Sequence, residues 1–400
     1  MNILVLNAGS SSLKYQLIEM DHETVIAKGQ AERIGIDGSN FRHRPADGKP
    51  EYAVELPIPD HEAAVKMVLD ALIHPVHGVV SSKDDIYAVG HRVLHGGSEF
   101  SESVVITPEV KQAIRRYFIL GPLHNPANLM GIEAIEKILP KTPMVAVFDT
   151  AFHQTMPPRA YIYGIPYDYY RRLQIRRYGF HGTSHRYVSM AAARFLGKKP
   201  QDLRIICCHL GNGSSITAVD RGKVVDTSMG LTPLEGLLMG TRAGDMDTAV
   251  VEYIMQQDKL SIEEVMTMLN KKSGLLGVSE RSSDMRDVFG AAQQGDEQCK
   301  LAVDILIHRI QKYIGAYAAV MGGVDVVVFT AGIGENNAEL REMAVENLEF
   351  LGIKVDPVRN RKKADAMDIS ADDASVKTLV IATNEELMIA RDTLALTYPR

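Results

Sequence analysis

Apolar residues fall in short, dense runs separated by longer stretches of helical period. "NILVL" (2–6), "MVAVFDT" (144–150), "RIICCHL" (204–210), "VDVVVFTAG" (324–332) and "TLVIATN" (378–384) are close to continuous in bulky apolar residues. Such runs suit central strands covered on both faces. "SLKYQLI" (12–18), "IYAVGHRVL" (86–94), "SSITAV" (214–219) and "KVVDTS" (223–228) also read as strands. Between them, "HEAAVKMVLDALI" (61–73) sets Val65, Val68, Leu69 and Leu72 on one helical face. "SIEEVMTML" (261–269) opens with a capping box, Ser261 to Glu264. Residues 295–323 read as a long helix that ends at paired glycines. This alternation predicts an α/β protein.

The two halves resemble each other. Aligning Leu6 with Leu210 sets Gly9-Ser10-Ser11 on Gly213-Ser214-Ser215, and each turn joins two strands that read as a hairpin. "VAVFDTA" (145–151) also matches "VVVFTAG" (326–332). Similarity at about half the chain length predicts a duplicated α/β unit. A Gly/Ser turn leaves backbone N–H groups unpaired and lets a ligand come close, which suits phosphate oxygens. Taken alone, either turn would be an ordinary hairpin.

Composition narrows the class. The chain has 400 residues, enough for two domains, with 44 basic and 50 acidic side chains and a formal charge of −6. That charge argues against broad nucleic-acid binding. Three cysteines (Cys207, Cys208, Cys299) make no CxxC, so a reducing cytoplasm is expected. The opening apolar run, Ile3 to Leu6, is too short for a signal segment, and no stretch is long enough to span a membrane. Gly9 to Lys14 lacks the second glycine of a P-loop. GxGxxG fails after Gly211 and after Gly332, where Ile216 and Asn337 hold the last position. The pairs His91/His95 and His181/His185 lack the HExxH glutamate of a zinc site.

Ten segments, in order along the chain, resemble the acetate kinase family. They are "NAGSSSLK" (7–14), "GHRVLHGG" (90–97), "GPLHNP" (121–126), "VFDTAFH" (147–153), "YGFHGTSH" (178–185), "HLGNGSS" (209–215), "GLTPLEGLLMGTRAGD" (230–245), "SSDMRD" (282–287), "FTAGIGEN" (329–336) and "TNEE" (383–386). The resemblance implies duplicated RNase-H-like domains of the actin and sugar-kinase type, with ATP in the cleft between them. It also implies transfer between ATP and acetate with Mg²⁺ (or Mn²⁺), ADP and acetyl phosphate as products, and a homodimer. By the same resemblance, Arg92 and Arg242 hold acetate and the moving phosphoryl group. His181 stabilises the transition state, His124 lies in the active-site loop and Asp149 is the catalytic aspartate. Asn7 and Glu385 match the metal site. Lys14, the run His209, Leu210, Gly211, Asn212 and Gly213, the run Asp284, Met285 and Arg286, and the run Gly332, Ile333, Gly334, Glu335 and Asn336 match ATP-binding segments. Leu94, Leu123, Phe180 and Pro233 match the apolar pocket for the acetate methyl group.

These residue types suit the chemistry. Phosphoryl transfer depends on positioning and electrostatics, and guanidinium forks meet carboxylate and phosphoryl oxygens bidentately. A carboxylate substrate is ionised at neutral pH, so no proton need be removed. Asp149 is therefore expected to orient the metal or its waters rather than act as a base. Two positions depart from the family pattern: Leu94 follows Val93 where valine is usual, and Glu280-Arg281 precede "SSDMRD" where glycine is usual. The expected domains are 1–150, completed by a C-terminal helix over 385–400, and 151–384. A propionate or butyrate kinase of the same family, or a switch-type ATPase of the superfamily, is the alternative.

Overall fold

The computed structural model describes residues 1–122 and 124–398. The chain divides into two compact units, Met1–Phe152 with Asn384–Arg400, and His153–Thr383.

The sheet of the first unit is built from β1 (Asn2–Gly9), β2 (Ser12–Glu19), β3 (Thr24–Glu32), β4 (Asn40–Pro45), β5 (Tyr52–Glu55), β6 (Ile86–Val93), β7 (Val104–Val105) and β8 (Met144–Phe148), in the order β5-β4-β3-β2-β1-β6-β8-β7. β1, β6 and β8 run parallel, whereas β2 and β3 are antiparallel neighbours on the other side of β1. Gly9 pairs with Ser12, so Ser10 and Ser11 alone make the first turn. One face packs against the helices His61–Leu72 and Asn125–Ile138 through Leu4, Leu6, Val65, Leu69, Ile132 and Ile135. The other face carries the helix Glu385–Thr397. Gly90 admits it there, since a Cβ would stand 2.6 Å from Ile389.

The second unit has β9 (Arg204–Leu210), β10 (Ser214–Asp220), β11 (Lys223–Thr227), β12 (Val326–Thr330), β13 (Ala366–Asp368) and β14 (Lys377–Ile381), in the order β11-β10-β9-β12-β14-β13. Its core lies between the sheet and the helix Glu297–Val320, through Ile206, Cys208, Phe329, Leu306 and Ile310. The helix Gly182–Phe195 packs on β9, β12 and β14.

The run β3-β2-β1-β6-β8 recurs as β11-β10-β9-β12-β14, with the same strand directions. This is the RNase-H-like unit, present twice. It confirms the hairpin match and corrects the second one. The strand at 326–330 borders β9 and so answers to β6, whereas β8 answers to β14. The likeness of 145–151 to 326–332 reflects two buried strands with similar apolar demands, not equivalent places in the repeat.

Local signals held where they were strongest. Ser261 and Glu264 exchange backbone and side-chain bonds as a capping box. The long helix stops before Gly322 and Gly323, both at positive φ. The run 324–332 is strand only to Thr330, because Ala331 turns to φ 64° and opens the short helix Ala331–Asn336. The outer antiparallel strands β3 to β5 carried weaker signals. β4 does alternate, with Phe41 and His43 buried and Arg42 and Arg44 exposed. No helix among the described residues is long and apolar enough to cross a membrane.

Candidate active site

In the first unit, the C-terminal ends of the parallel strands gather functional groups, the usual place in open α/β sheets. Asn7 stands near the end of β1, Arg92 near the end of β6, and Asp149 directly after β8. Arg92 Nε and Nη2 donate to the two Asp149 oxygens at 2.9 and 2.7 Å. Glu385, the first residue of its helix, lies 3.9 Å from Arg92 Nε. Burial alone would lower the Arg92 guanidinium, but the Asp149 and Glu385 charges outweigh it and hold it above its ordinary value. Burial pushes the Glu385 carboxyl up to about 7, against the pull of Arg92. Asn7, Lys14, Arg92 and Glu385 line one cavity of about 240 Å³, whose wall continues through Lys28, Arg42 and Arg44.

Two asparagines of the helix Asn125–Ile138 hold these strand ends in place. Asn128 accepts from Leu94 N at 3.0 Å and donates to Ala8 O at 2.7 Å. Asn125 brackets His95 in the same way. Both residues went unread in the sequence, although their spacing of three sets them on one helical face. His124 is the N-cap residue of this helix. Leu94 is buried, and a Cβ on Gly121 would stand 3.4 Å from its Cδ2. Leu123 lies outside the described residues.

In the second unit, Gly211, Asn212, Asp284, Met285, Arg286, Gly332, Ile333 and Asn336 line one cavity of about 740 Å³, joining three segments predicted to bind nucleotide. That volume falls within the range of small-molecule sites. Gly334 and Glu335 act differently. Glu335 turns inward, and its Oε1 accepts from Ala331 N at 2.7 Å and Thr383 N at 3.1 Å. Buried Arg341 donates to Gly334 O and Glu335 O at 2.8 and 2.9 Å, fixing the same turn from behind.

A second cluster lies at the β9–β10 turn. Ser214 Oγ closes the turn on Gly211. A methyl group on Gly213 would stand 3.4 Å from His181 Nε2 and 3.6 Å from Arg242 Nη1, so both nitrogens border the same small volume. His181 has φ 56°, a left-handed backbone rare outside glycine and typical of strained functional positions. Its ring stacks on His209 at 4.1 Å. Arg242 donates to Pro233 O at 3.1 Å and pairs with no carboxylate among the described residues, while burial pulls its guanidinium down. Its loop is anchored by Glu235, which accepts from Arg177 Nη2 and Tyr163, and by Asp245, which accepts from Gly236 N and Tyr313. Phe180 is buried just ahead of His181.

Residues 2–391 match the acetokinase family. The chain belongs to that family. The acetate kinase of Desulfitobacterium hafniense is 57% identical over 394 residues, covering 98% of each chain. Among solved structures, the Porphyromonas gingivalis acetate kinase is similar at 47% identity and TM-score 0.94, and a Francisella tularensis propionate kinase at 43% identity and TM-score 0.92. Each spans 99% of both chains.

An acetokinase metal would find oxygen donors in the first unit. The Asn7 side chain and the Glu385 carboxylate line the same cavity. Among the described residues, no group of three His, Cys, Asp or Glu side chains could hold a metal ion. Magnesium needs none, since it takes one or two protein oxygens and completes its shell with water and substrate phosphate. The residues present fit that ion.

Proposed function

We propose that this chain is an acetate kinase that transfers the γ-phosphoryl group of ATP to acetate, reversibly and without a phosphoenzyme. The observation that carries the chemistry is the volume in front of Gly213, bordered by His181 Nε2 and by the guanidinium of Arg242, which has no carboxylate partner among the described residues. Two such donors suit the oxygens over which charge spreads during transfer. Acetate as acceptor is supported by the family and by the identity to the D. hafniense acetate kinase. Bound Mg²⁺ would neutralise phosphate charge. Asn7 and Glu385 are proposed to hold it.

Each side chain then has a task. His181 and Arg242 donate to the moving phosphoryl group. Arg92 orients carboxylate oxygens, with Asp149 holding the guanidinium fork by both of its own oxygens. A carboxylate so engaged is poorly placed to accept a proton, and acetate offers none. Asp284, Met285, Arg286, Gly332, Ile333 and Asn336, with Gly211 and Asn212, hold the nucleotide, Gly334 and Glu335 shape the turn beneath it, and Lys14 meets phosphate. Residues 1–150 with the C-terminal helix form the first domain and 151–384 the nucleotide-binding domain. Leu94, Phe180 and Pro233 keep the methyl-contact role that the family resemblance implies, and His124 that of an active-site loop residue. The protein works as a cytoplasmic homodimer, which light scattering of the purified chain checks.

The test is acyl phosphate formation from ATP and Mg²⁺ with acetate, propionate and butyrate in turn. Acetate should give the highest kcat/KM. Preference for a longer acid makes the chain a propionate or butyrate kinase, and ATP hydrolysis indifferent to any carboxylate rejects both in favour of a switch ATPase. Net inversion at a chiral γ-phosphorus is expected; retention overturns direct transfer.

A further inference from the structure

We infer that His185, acting through the hydroxyl of Ser215, holds His181 in the tautomer that carries its proton on Nε2. The inference rests on the proposal that His181 donates to the moving phosphoryl group.

His181 opens the helix Gly182–Phe195, and His185 follows one turn later on the same face. Both rings reach one hydroxyl of β10. Ser215 Oγ lies 2.9 Å from His181 Nδ1 and 2.7 Å from His185 Nε2, and it has no other partner among the described residues. A serine hydroxyl has a single proton to give. It therefore donates to one ring and accepts from the other.

His185 decides which. Its other nitrogen, Nδ1, is buried and without a partner. Burial holds this imidazole well below its ordinary range, and His153 and His209 beside it add to the effect. The ring is neutral and carries one proton. Were that proton on Nδ1, an N–H donor would sit in the interior with no acceptor, a rarer defect than an unused lone pair. With the proton on Nε2, His185 donates to Ser215, Ser215 donates to His181 Nδ1, and His181 keeps its proton on Nε2. That nitrogen borders the volume in front of Gly213. The opposite arrangement would present a bare lone pair, which repels an oxyanion, or an imidazolium close to the half-buried Arg242 charge. His185 and Ser215 are thus positioning residues. The histidine pair that fails as a zinc motif is used instead to fix a proton.

The experiment uses the full chain labelled with ¹⁵N-histidine, with the His181 resonances assigned by their loss in His181→Gln. Ring nitrogen shifts should show Nε2 protonated and Nδ1 bare in the parent, and a mixture of tautomers in Ser215→Ala. Ser215→Ala should lower kcat by about 10–100-fold, the usual effect of losing an orienting partner, with KM for ATP and acetate little changed. Ser215→Thr should restore kcat. His185→Gln, whose amide N–H replaces Nε2–H, should exceed His185→Leu, and the serine pair decides the matter if His185→Leu does not fold. A parent protonated on Nδ1, or Ser215→Ala at parental kcat while His181→Ala has collapsed, overturns the relay. His181→Ala at parental kcat instead overturns the role given to His181, whatever the tautomer.

Discussion

Arg92 and Arg242 are the same residue in opposite surroundings. Arg92 is bound through two donors to Asp149, with Glu385 close by, and its guanidinium is held above its ordinary value. Arg242 is half-buried against a carbonyl and a methionine sulfur, and its guanidinium is pulled down by desolvation. The first charge is neutralised inside the protein before any ligand arrives. The second is not, so an arriving anion meets a partly desolvated cation that has no carboxylate beside it among the described residues. The comparison separates two uses of arginine: one as a fork fixed by its own carboxylate, the other as a charge reserved for substrate.

Substituting methionine at each position gives the largest effects and tests that difference directly. Arg92→Met and Arg242→Met should both lower turnover by orders of magnitude. Their stabilities should part. Arg92→Met strands the fully buried Asp149 charge and should cost about 3–5 kcal/mol in urea unfolding. Arg242→Met removes a half-buried cation without a carboxylate partner among the described residues and should cost nothing, or add stability. Equal destabilisation of the two variants would break the comparison.

Gly213→Ala sharpens the Arg242 side. Gly213 is not at positive φ, so alanine adds no backbone strain there. Its methyl group would fill the volume bordered by His181 and Arg242, and misplacement on that scale typically costs about 100-fold in rate. Parental turnover in a folded Gly213→Ala protein would show that nothing reacts in that volume.

Leu94→Ala sharpens the Arg92 side. If Leu94 limits the methyl pocket, trimming it should raise kcat/KM for propionate relative to acetate, by up to about 10–200-fold per methylene accommodated. An unchanged ratio in a protein destabilised by about 2–5 kcal/mol would make Leu94 a core residue only.

His91, next to Arg92, is the smallest test and concerns a cation the fold refuses. Burial holds its imidazole down to about 3. The unfolded chain protonates near about 6.5, so this contribution to stability is complete above that pH and is lost as pH falls toward the folded value. Between pH 7 and pH 5 the parent should lose about 2 kcal/mol more than His91→Leu. Parallel unfolding curves for the two proteins across that range would show that His91 stays neutral in both states or charges freely in both.

Local patterns carried much of the fold because local forces decide those features. Near-continuous Val and Ile runs became the inner strands, Ser261 and Glu264 became a capping box, and Gly322 and Gly323 ended the long helix. The first hairpin match survived because a tight turn between strands is written in neighbouring residues. The ten family segments were equally legible, and with them most residues lining the cavity of the second unit.

What the sequence left open depended on residues far apart along the chain. Two buried strands of like composition could not be told apart until their neighbours were known, so 145–151 was set against the wrong partner. The antiparallel strands β3 to β5 each needed a neighbouring strand to pair with. Asn128 shows nothing in its own segment of the bond to Ala8, 120 residues away. Ser215 reads as one more serine in a polar turn until tertiary packing brings two imidazoles to its hydroxyl. Sequence alone determined which residues are chemically able to serve. Burial and long-range hydrogen bonding, which exist only in the folded chain, decided their charge, their partners and the direction in which each presents a proton.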